Sequence, residues 1–515
     1  MNRESSSFLS LRGLTFFSAL VAAVIFFGVP LPWQQKKTFR TAINAKPNFS
    51  TLTIALCDTP ETMHPHEARR ALDLSLIRQL FEGLVRENPK APEGTELASA
   101  RSIHISEDKK CYTFKLKKTF WSNGEAVTSH DFLESWAQAV KLSLFSTLFE
   151  DIQRKPSNNS EETIKKDSLE LYAPDPETFI VYLKQPQPDF LKKISSPTFF
   201  PIYQGSTKKL VSNGAYRLHT LSSAHSIILE KNPFYHDTQI NACPYINLSV
   251  IFNIQTASRL LEKHSIHWLG QPWNQSLPNE IKKRLKQKKL LQNTHSIKGS
   301  FWLTINSERM PLENIALRKA LSESINRANL VEYVLTGNQS PASTLSPTSL
   351  SNASPILQKS TPSLDLPPFQ RKITLTYPSD ILQCVRIAEF LQQEWKTHLG
   401  LNVGLKGVEY RRLIEERNKK HYDIITQTGT ALHPGEKGFH PIIAKQFYEL
   451  YPEARTTIPG DMSADYQEKI LLDNHIVIPL YHLSQEFFLS TPIKNIIFCS
   501  DGSVDLKYAE FCTKG

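Results

Sequence analysis

Apolar and polar side chains alternate between residues 112 and 117, and this period of two is typical of a half-buried strand. An Asn-Gly dipeptide follows at 123–124, and glycine tolerates the positive φ that a tight turn needs. Apolar residues then recur at helical spacing over 132–136, after a capping residue at Thr128 or Ser129. The segment therefore predicts a strand, a turn and the start of a helix.

Similar patterns predict helices and strands along most of the chain. Predicted helices pass through 74–81, 316–327 and 384–398. Pro479 indicates that its strand lies at a sheet edge, because proline has no N–H to donate to a neighbouring strand. Strands and helices alternate after residue 301, which indicates an α/β unit with a mixed or parallel sheet. The predicted strands cover 51–57, 169–172, 179–183, 245–252, 301–306, 373–377, 401–405, 422–425 and 476–481.

The chain has 515 residues, more than one hydrophobic core normally organises, so two or three packed units are expected. Its formal charge of +10 is typical of a solvated basic surface. The densest basic run, 282–289, has helical propensity but no interleaved aromatic residues. This run predicts an exposed helix, and nucleic acid is not an expected partner.

An apolar stretch at 13–33 is flanked by basic residues on both sides. About 20 apolar residues suffice for a helix to span a bilayer. The stretch is therefore either a long export signal or an uncleaved anchor in the inner membrane. The first cysteine, Cys57, lies too far downstream for a lipid-modified signal. A periplasmic, extracytoplasmic location is favoured over a cytoplasmic one.

The sequence contains no common motif for covalent chemistry. It has no Gly-x-Ser-x-Gly elbow, His-Glu-x-x-His motif, P-loop or dinucleotide-binding glycine motif. A hydrolase is therefore a less favoured interpretation of the chain, and no cofactor is expected. His64 and His66 could be a metal pair, but no third ligand lies at a recognisable spacing. Cys499 and Cys512 either form a disulfide or remain free thiols, and the sequence leaves both alternatives open.

A series of motifs, in order over residues 50–512, resembles the extracytoplasmic solute-binding proteins that deliver peptides to ABC transporters, the oligopeptide-binding family. The most informative is the segment 112–136, with its Tyr-Thr-Phe, Trp-Ser-x-Gly and Asp-Phe strings. Each motif is weakly specific, whereas their shared order indicates homology. The other matching segments are 63–65, 81–84, 183–190, 212–218, 227–235, 316–327 and 501–508, the last as a closing strand.

The resemblance implies an α/β, bilobed periplasmic-binding-protein fold, in which two α/β lobes with mixed sheets carry an inserted third domain. The N-terminal apolar segment lies outside this fold. The implied function is to capture an oligopeptide between the lobes and deliver it to the permease subunits of an ABC importer, as a monomer. The predicted divisions are 1–49 for the signal or anchor and spacer, 50–87 with 196–298 and 487–515 for the first lobe, 88–195 for the inserted domain, and 299–486 for the second lobe.

The chain departs from the family pattern at the position that holds the ammonium group of a bound peptide. In peptide binders of this family, an aspartate after a Tyr-Asp strand holds the ammonium of the peptide, and it follows a Gly-Trp pair. Here Gly429 stands at the tryptophan position and Leu432 at the aspartate position. Leucine cannot accept a charge-assisted hydrogen bond, and a buried ammonium without a partner costs several kcal/mol. The alternative is the same fold binding a non-classical ligand, such as cell-wall peptides, or acting as a receptor.

Candidate ligand-binding residues come from three segments that the family places at the cleft. Packing in the hydrophobic core is as strongly favoured for Trp302 as ligand binding. Trp302 and Thr304 lie on the same face of their predicted strand, which favours a shared role. The candidates are Met63, His64, His66, Trp302, Thr304, Gly429, Thr430 and His433.

Overall fold

The computed structural model describes residues 51–142, 146–155, 169–207, 209–222, 226–238, 242–337, 339–347, 372–454 and 462–512. The predicted export signal or anchor at 13–33 lies outside these residues. The sequence also predicts loops in the polar stretch 155–166 and the Ser/Pro-rich stretch 339–369, and nearly all of the first and most of the second lie outside them as well. Within the described ranges, no helix is both long enough and apolar enough to cross a membrane.

The strands are numbered in chain order. They are β1 Thr51–Leu56, β2 Val85–Glu87, β3 Thr95–Leu97, β4 Ala100–Ile105, β5 Cys111–Leu116, β6 Leu171–Asp175, β7 Thr178–Tyr182, β8 Tyr216–Ser222, β9 Ser226–Lys231, β10 Tyr245–Val250, β11 Trp268–Gly270, β12 Leu291–Ile305, β13 Ser340–Pro341, β14 Thr374–Pro378, β15 Gly404–Val408, β16 Ile424–Thr430, β17 Val477–Leu489, β18 Ile493–Lys494, β19 Ile497–Phe498, β20 Val504–Asp505 and β21 Glu510–Phe511.

The helices alternate with these strands. They are α1 Ala71–Leu80, α2 Ser129–Ala139, α3 Phe190–Ile194, α4 Ile254–Glu262, α5 Asn279–Gln287, α6 Ile315–Glu323, α7 Arg327–Asn329, α8 Leu382–Leu399, α9 Tyr410–Asn418, α10 His440–Leu450 and α11 Ala464–Asp473. A π-helical turn, Leu330–Leu335, continues α7, and 3₁₀ turns occupy Ser146–Phe149, Pro197–Phe199 and Glu436–Phe439.

One mixed sheet runs through the molecule. Its strands follow the order β15-β14-β16-β12-β17-β11-β1-β10-β9-β8, and the short β13 also pairs with β17. β1 is parallel to β10 and β11, and β14 is parallel to β15 and β16. β12 is antiparallel to both β16 and β17. The sheet confirms the predicted α/β class.

β12 and β17, of 15 and 13 residues, belong to both halves of this sheet. Residues 291–296 pair with 484–489, and after a shift in register residues 300–304 pair with 477–482. The apolar side chains on the two sides of this shift form separate cores. We call the half with β1 and β8–β11 the first lobe and the half with β14–β16 the second lobe. This pair of strands therefore joins the two lobes.

A second antiparallel sheet, β4-β5-β7-β6, packs beside the first lobe and shares its core. Phe114 on β5 and Phe179 on β7 lie under α2, whose Trp136 is buried and donates its indole N–H to the Phe199 carbonyl at 2.8 Å. α2 begins with a capping box, in which the Thr128 N–H donates to the Asp131 carboxylate. The predicted strand, turn and helix over 112–136 are confirmed.

The interior of the first lobe contains paired charges. Arg78 on α1 donates to Asp501 at 2.7 Å, and both side chains are less than one-tenth exposed. Glu82 lies 3.5 Å from the Lys507 ammonium. Burial alone would raise the pKa of Glu82, but Lys507 and His236 lower it well below its ordinary value. The buried charges are therefore compensated by partners, which offsets their loss of hydration.

The predictions of an edge strand at Pro479 and of an exposed helix over 282–289 each hold only in part. β17 as a whole lies between β12 and β11, but β11 pairs only with residues 487–489. At Pro479 the described strands pair with β17 on the β12 side alone, and the Pro479 carbonyl accepts a hydrogen bond from Arg327 Nε at 2.7 Å on the other side, so the missing N–H faces no strand. The helix over the basic run is only partly exposed, since Lys282 is buried and its ammonium pairs with Glu486.

Two predicted strands have different bounds in the structure, and the structure also gives the state of one cysteine pair. The strand predicted at 401–405 begins at Gly404, because residues 401–403 connect α8 to the sheet without pairing. The predicted closing strand at 501–508 is reduced to the two residues of β20, which pair with β19. Cys499 and Cys512 are free thiols, which decides between the two alternatives for this pair.

Candidate functional site

β14 and β16 are neighbours only over a short stretch. Residues 375–376 pair with 424–425, and then these two parallel strands separate. Thr426–Thr430 keeps its β12 partners on one side, but the other side has no backbone partner among the described residues. The carboxyl ends of parallel strands are a usual place for ligands. A free strand edge can also accept an extended peptide as an additional strand.

A cavity of about 60 Å³ opens where the two strands separate. Thr426–Thr428, Pro378 at the end of β14, and Tyr410 and Arg417 of α9 are among the residues that line it. The Thr426 hydroxyl oxygen and Arg417 Nε are buried and have no hydrogen-bond partner within the described ranges. A buried polar group without a partner costs about 1–3 kcal/mol. Both residues line the cavity, so their unpaired groups are candidates to hydrogen-bond a ligand that enters it.

The loop that follows β16 reaches the first lobe. Leu432 packs against the apolar core of that lobe. The Lys298 ammonium donates to the Pro434 carbonyl at 2.6 Å, next to the register shift in β12. Burial opposes ionisation of Asp189, but hydrogen bonds from Lys192 and the backbone of Lys437 lower the pKa of its carboxyl. The loop therefore lies between the lobes and contacts both.

Trp302, Thr304 and Gly429 lie together on the sheet. Trp302 is 2% exposed and packs in the same apolar cluster as Ile443. Thr304 is fully buried and accepts a hydrogen bond from the Gln427 amide at 2.8 Å. A Cβ at Gly429 would lie 3.1 Å from the Trp302 ring and 2.9 Å from Ile442, so this position favours glycine. The two β12 side chains therefore support the β16 edge from inside the second lobe.

Met63, His64 and His66 lie in the loop before α1. Met63 is half-buried against the first-lobe core, and the two imidazole rings meet edge to face with centroids 5.3 Å apart. His66 is buried, and its Nε2 lies 3.2 Å from the Phe200 carbonyl, to which the neutral ring donates. Burial lowers the pKa of His66 to about 4. The described residues contain no group of three or more side chains suited to a metal ion.

His433 and Thr430 lie at the end of β16 that faces the first lobe. Thr430 pairs with Gly299, beside the register shift in β12. His433 is 3% exposed, and its Nδ1 accepts a hydrogen bond from the Gly435 N–H at 3.2 Å. Burial lowers the pKa of His433 to about 3, and the charge of Lys193 acts in the same direction. The imidazole is therefore neutral at neutral pH and acts as an acceptor inside the loop.

Several residues of this site were not predicted from the sequence. Tyr410 and Arg417 lie on α9, whose apolar residues Leu413 and Ile414 stand between charged ones and give only a weak helical signal. Thr426 directly follows the predicted strand 422–425, but nothing in the sequence pattern shows which edge of that strand lacks a partner. The separation of β14 from β16 decides this, and it is a long-range property of the sheet.

Two sequence comparisons, one with protein-family models and one with individual proteins, find relatives of the same kind. The family model described as "Bacterial extracellular solute-binding proteins, family 5 Middle" matches residues 95–443. The oligopeptide-binding protein OppA of Bacillus subtilis is 27% identical over 514 residues, covering 90% of this chain and 93% of its own. The periplasmic murein peptide-binding protein MppA of Escherichia coli is 25% identical, covering 82% of this chain and 86% of its own.

Solved structures share the fold. A periplasmic oligopeptide-binding protein of Borrelia burgdorferi matches with a TM-score of 0.70 at 20% identity, over 90% of this chain and all of that one. The murein tripeptide-binding protein MppA of E. coli matches with a TM-score of 0.69 at 22% identity, over 90% of this chain and 99% of that one. These matches confirm the predicted bilobed binding-protein fold. The chain belongs to the bacterial extracellular solute-binding proteins of family 5.

Proposed function

We propose that this protein captures oligopeptides between its two lobes and delivers them to an ABC importer. The observation that carries this proposal is the edge of β16 at Thr426–Thr430, which has no backbone partner among the described residues and can pair with an extended peptide backbone. Backbone pairing accepts many side chains, as an oligopeptide carrier requires. The relatives named for oligopeptide binding support the same ligand class.

Residues of both lobes form the proposed ligand-binding site. The lobes close about β12 and β17, whose shift in register at 296–300 separates the two cores. In this proposal the chain divides at the predicted bounds, with 1–49 outside the fold, 88–195 inserted, and 299–486 as the second lobe. The ligand contacts the edge of β16 directly, with Trp302 and Thr304 beneath it. The remaining contacts come from Met63, His64, His66, Gly429, Thr430 and His433.

Partners and location follow from the same proposal. The protein acts as an extracytoplasmic monomer that docks on the permease subunits of its importer. Residues 13–33 direct export and either anchor the protein in the inner membrane or are removed. Cell fractionation of the full chain and of a variant with a cleavable site at residue 49 separates these two outcomes, because only an anchored protein leaves the membrane fraction on cleavage.

A second candidate function, binding of a non-classical ligand such as a cell-wall peptide, rests on Leu432. Its side chain offers no acceptor for a ligand ammonium and is packed against the first lobe. The relative named for murein peptides shows that the family includes such ligands. Reception of a peptide signal would use the same closed cleft.

Direct binding measurements test the proposed function. The purified chain is screened against a mixture of tri- to pentapeptides and against peptides released from cell wall, with bound species identified by mass spectrometry. Saturable binding of generic peptides, with a decrease in the radius of gyration in solution scattering, is the expected result. Binding of wall peptides alone would favour the second function. Binding of neither class would overturn both.

A further inference from the structure

The loop 431–438, which we call the clasp loop, extends from the end of β16 towards the first lobe. Within it, the Leu432 N–H donates to the Gly438 carbonyl at 2.9 Å, and the Gly438 N–H donates to the Gly435 carbonyl at 3.0 Å. The Gly435 N–H in turn donates to the His433 imidazole at 3.2 Å. These bonds close the loop on itself and brace the backbone of Leu432.

Lys298 holds the base of the clasp loop at the register shift in β12. Its carbonyl accepts a hydrogen bond from the Ala431 N–H at 2.6 Å, and its ammonium donates to the Pro434 carbonyl at 2.6 Å. Its own N–H donates to the Ser500 carbonyl at 3.2 Å. Ser500 is bound to the first lobe, because its N–H donates to the buried Glu87 carboxylate at 2.7 Å. Lys298 therefore connects two positions of the loop with the first lobe.

Two parts of the clasp loop contact the first-lobe side of the molecule. The side chain of Leu432 packs against the first-lobe core. The Asp189 carboxylate precedes α3, whose buried residues belong to the same core. It lies so close to Gly435 that a Cβ there would be 2.5 Å from its Oδ2, and it accepts a hydrogen bond from the Lys437 backbone N–H. Each of these contacts is formed by protein groups alone.

We propose that Leu432 is a clasp that favours closure of the lobes before a peptide binds, and that Lys298 and Asp189 position it. This inference rests on the proposed function in one respect, since it assumes that the lobes open and close about β12 and β17. Packing an apolar side chain against the opposite lobe removes apolar surface from water, which stabilises the closed form relative to the open one. A peptide that binds the closed form then binds more tightly, because more of the protein is competent to bind it.

Solution scattering of the ligand-free full chain tests the clasp, after mass spectrometry has verified that no peptide co-purified. Leu432→Ser removes the apolar contact and should lower the ratio of closed to open molecules about three- to tenfold. We therefore expect a larger radius of gyration than in the wild-type protein. Saturation with a tetrapeptide should return the variant to the wild-type bound value, with a dissociation constant raised by no more than the same factor.

A second variant and two matched controls assign the effect to the clasp loop. Lys298→Met removes the ammonium and keeps the apolar stem, so it should also expand the ligand-free protein, and it keeps the test valid if Leu432→Ser does not fold. Its control is Lys319→Met, because Lys319 is 57% exposed on α6 and lies 4.0 Å from Glu323. The control for Leu432 is Leu218→Ser, because Leu218 is also half-buried against the first-lobe core but lies on β8 at the far edge of the sheet. Both controls should keep the wild-type radius of gyration.

Three outcomes separate the inference from the proposed function. An equal radius of gyration in ligand-free wild type, Leu432→Ser and Lys298→Met would overturn the inference and leave the proposed function in place. Expansion of Leu218→Ser to the same extent as Leu432→Ser would also overturn it, because it would show a general loosening of the core. Failure of the wild-type protein to bind any peptide would overturn the proposed function, whereas the ligand-free proteins would still decide whether the clasp exists.

Discussion

The charged network inside the first lobe and the cavity beside β16 in the second lobe differ in whether their buried polar groups have partners. In the first lobe Arg78, Asp501, Glu82 and Lys507 are buried, and each has an oppositely charged partner. In the second lobe Arg417 Nε and the Thr426 hydroxyl are buried at a cavity without partners among the described residues. Compensated groups hold the fold together, whereas uncompensated groups at a cavity carry an unfavourable energy that a ligand can remove. At these two places the comparison predicts that the charged network contributes to stability and that the cavity contributes to ligand binding.

Breaking a compensated pair should have the largest effect. Asp501→Asn leaves Arg78 buried without its 2.7 Å partner and should lower the free energy of unfolding by about 3–5 kcal/mol. Denaturant unfolding of the purified chain measures this change. The control is Glu177→Gln, since Glu177 forms an exposed pair with Arg101 worth about 0–1 kcal/mol. Equal losses in the two variants would contradict the structural role of the first-lobe network.

The pH dependence of stability should follow the buried His66. Its pKa falls from an ordinary 6.5 to about 4 in the folded protein, so the unfolded chain binds the proton more tightly. The contribution of His66 to the free energy of unfolding is fully present above pH 6.5 and decreases by about 1.4 kcal/mol per pH unit down to pH 4. His66→Gln should flatten the slope by this amount, whereas the exposed His104→Gln should leave it unchanged. A slope that is the same in all three proteins would be inconsistent with a buried neutral imidazole.

Two threonines of the second lobe provide a matched test of structure against function. Thr304→Val removes the acceptor of the Gln427 amide and should cost about 1–3 kcal/mol of unfolding free energy. Thr426→Val removes a hydroxyl that has no partner in the described part of the chain, so stability should change by less than about 0.5 kcal/mol. Peptide affinity, measured by calorimetry, should fall in Thr426→Val. A large loss of stability in that variant would show that its hydroxyl is structural.

Leu432 should control the response to a ligand ammonium. We expect the wild-type protein to bind a free-amino peptide and its acetylated counterpart with similar affinity, because Leu432 accepts no hydrogen bond. Leu432→Asp should favour the free-amino peptide by about tenfold, or about 1.4 kcal/mol. Leu432→Asn is the control of equal shape without the charge. A strong preference for the free amine in the wild-type protein would show that another group holds it.

Local patterns in the sequence predicted much of the fold. The alternation over 112–117, the Asn-Gly turn and the cap at Thr128 depend on near neighbours, and they appear where predicted. Lys282 was predicted to be exposed because its partner Glu486 comes from a distant segment. For the same reason Arg417 was missed. The opening between β14 and β16 depends on which strands the fold brings together.

Hydrogen exchange of the β16 backbone tests most directly whether a peptide is captured as an added strand. Mass spectrometry follows peptic fragments over 424–432 in the presence and absence of a bound peptide, with β8, at the far edge of the same sheet, as the internal reference. We expect exchange to slow at Thr426–Thr430 and to stay unchanged in β8. Tight peptide binding with unchanged exchange at Thr426–Thr430 would contradict binding at this edge.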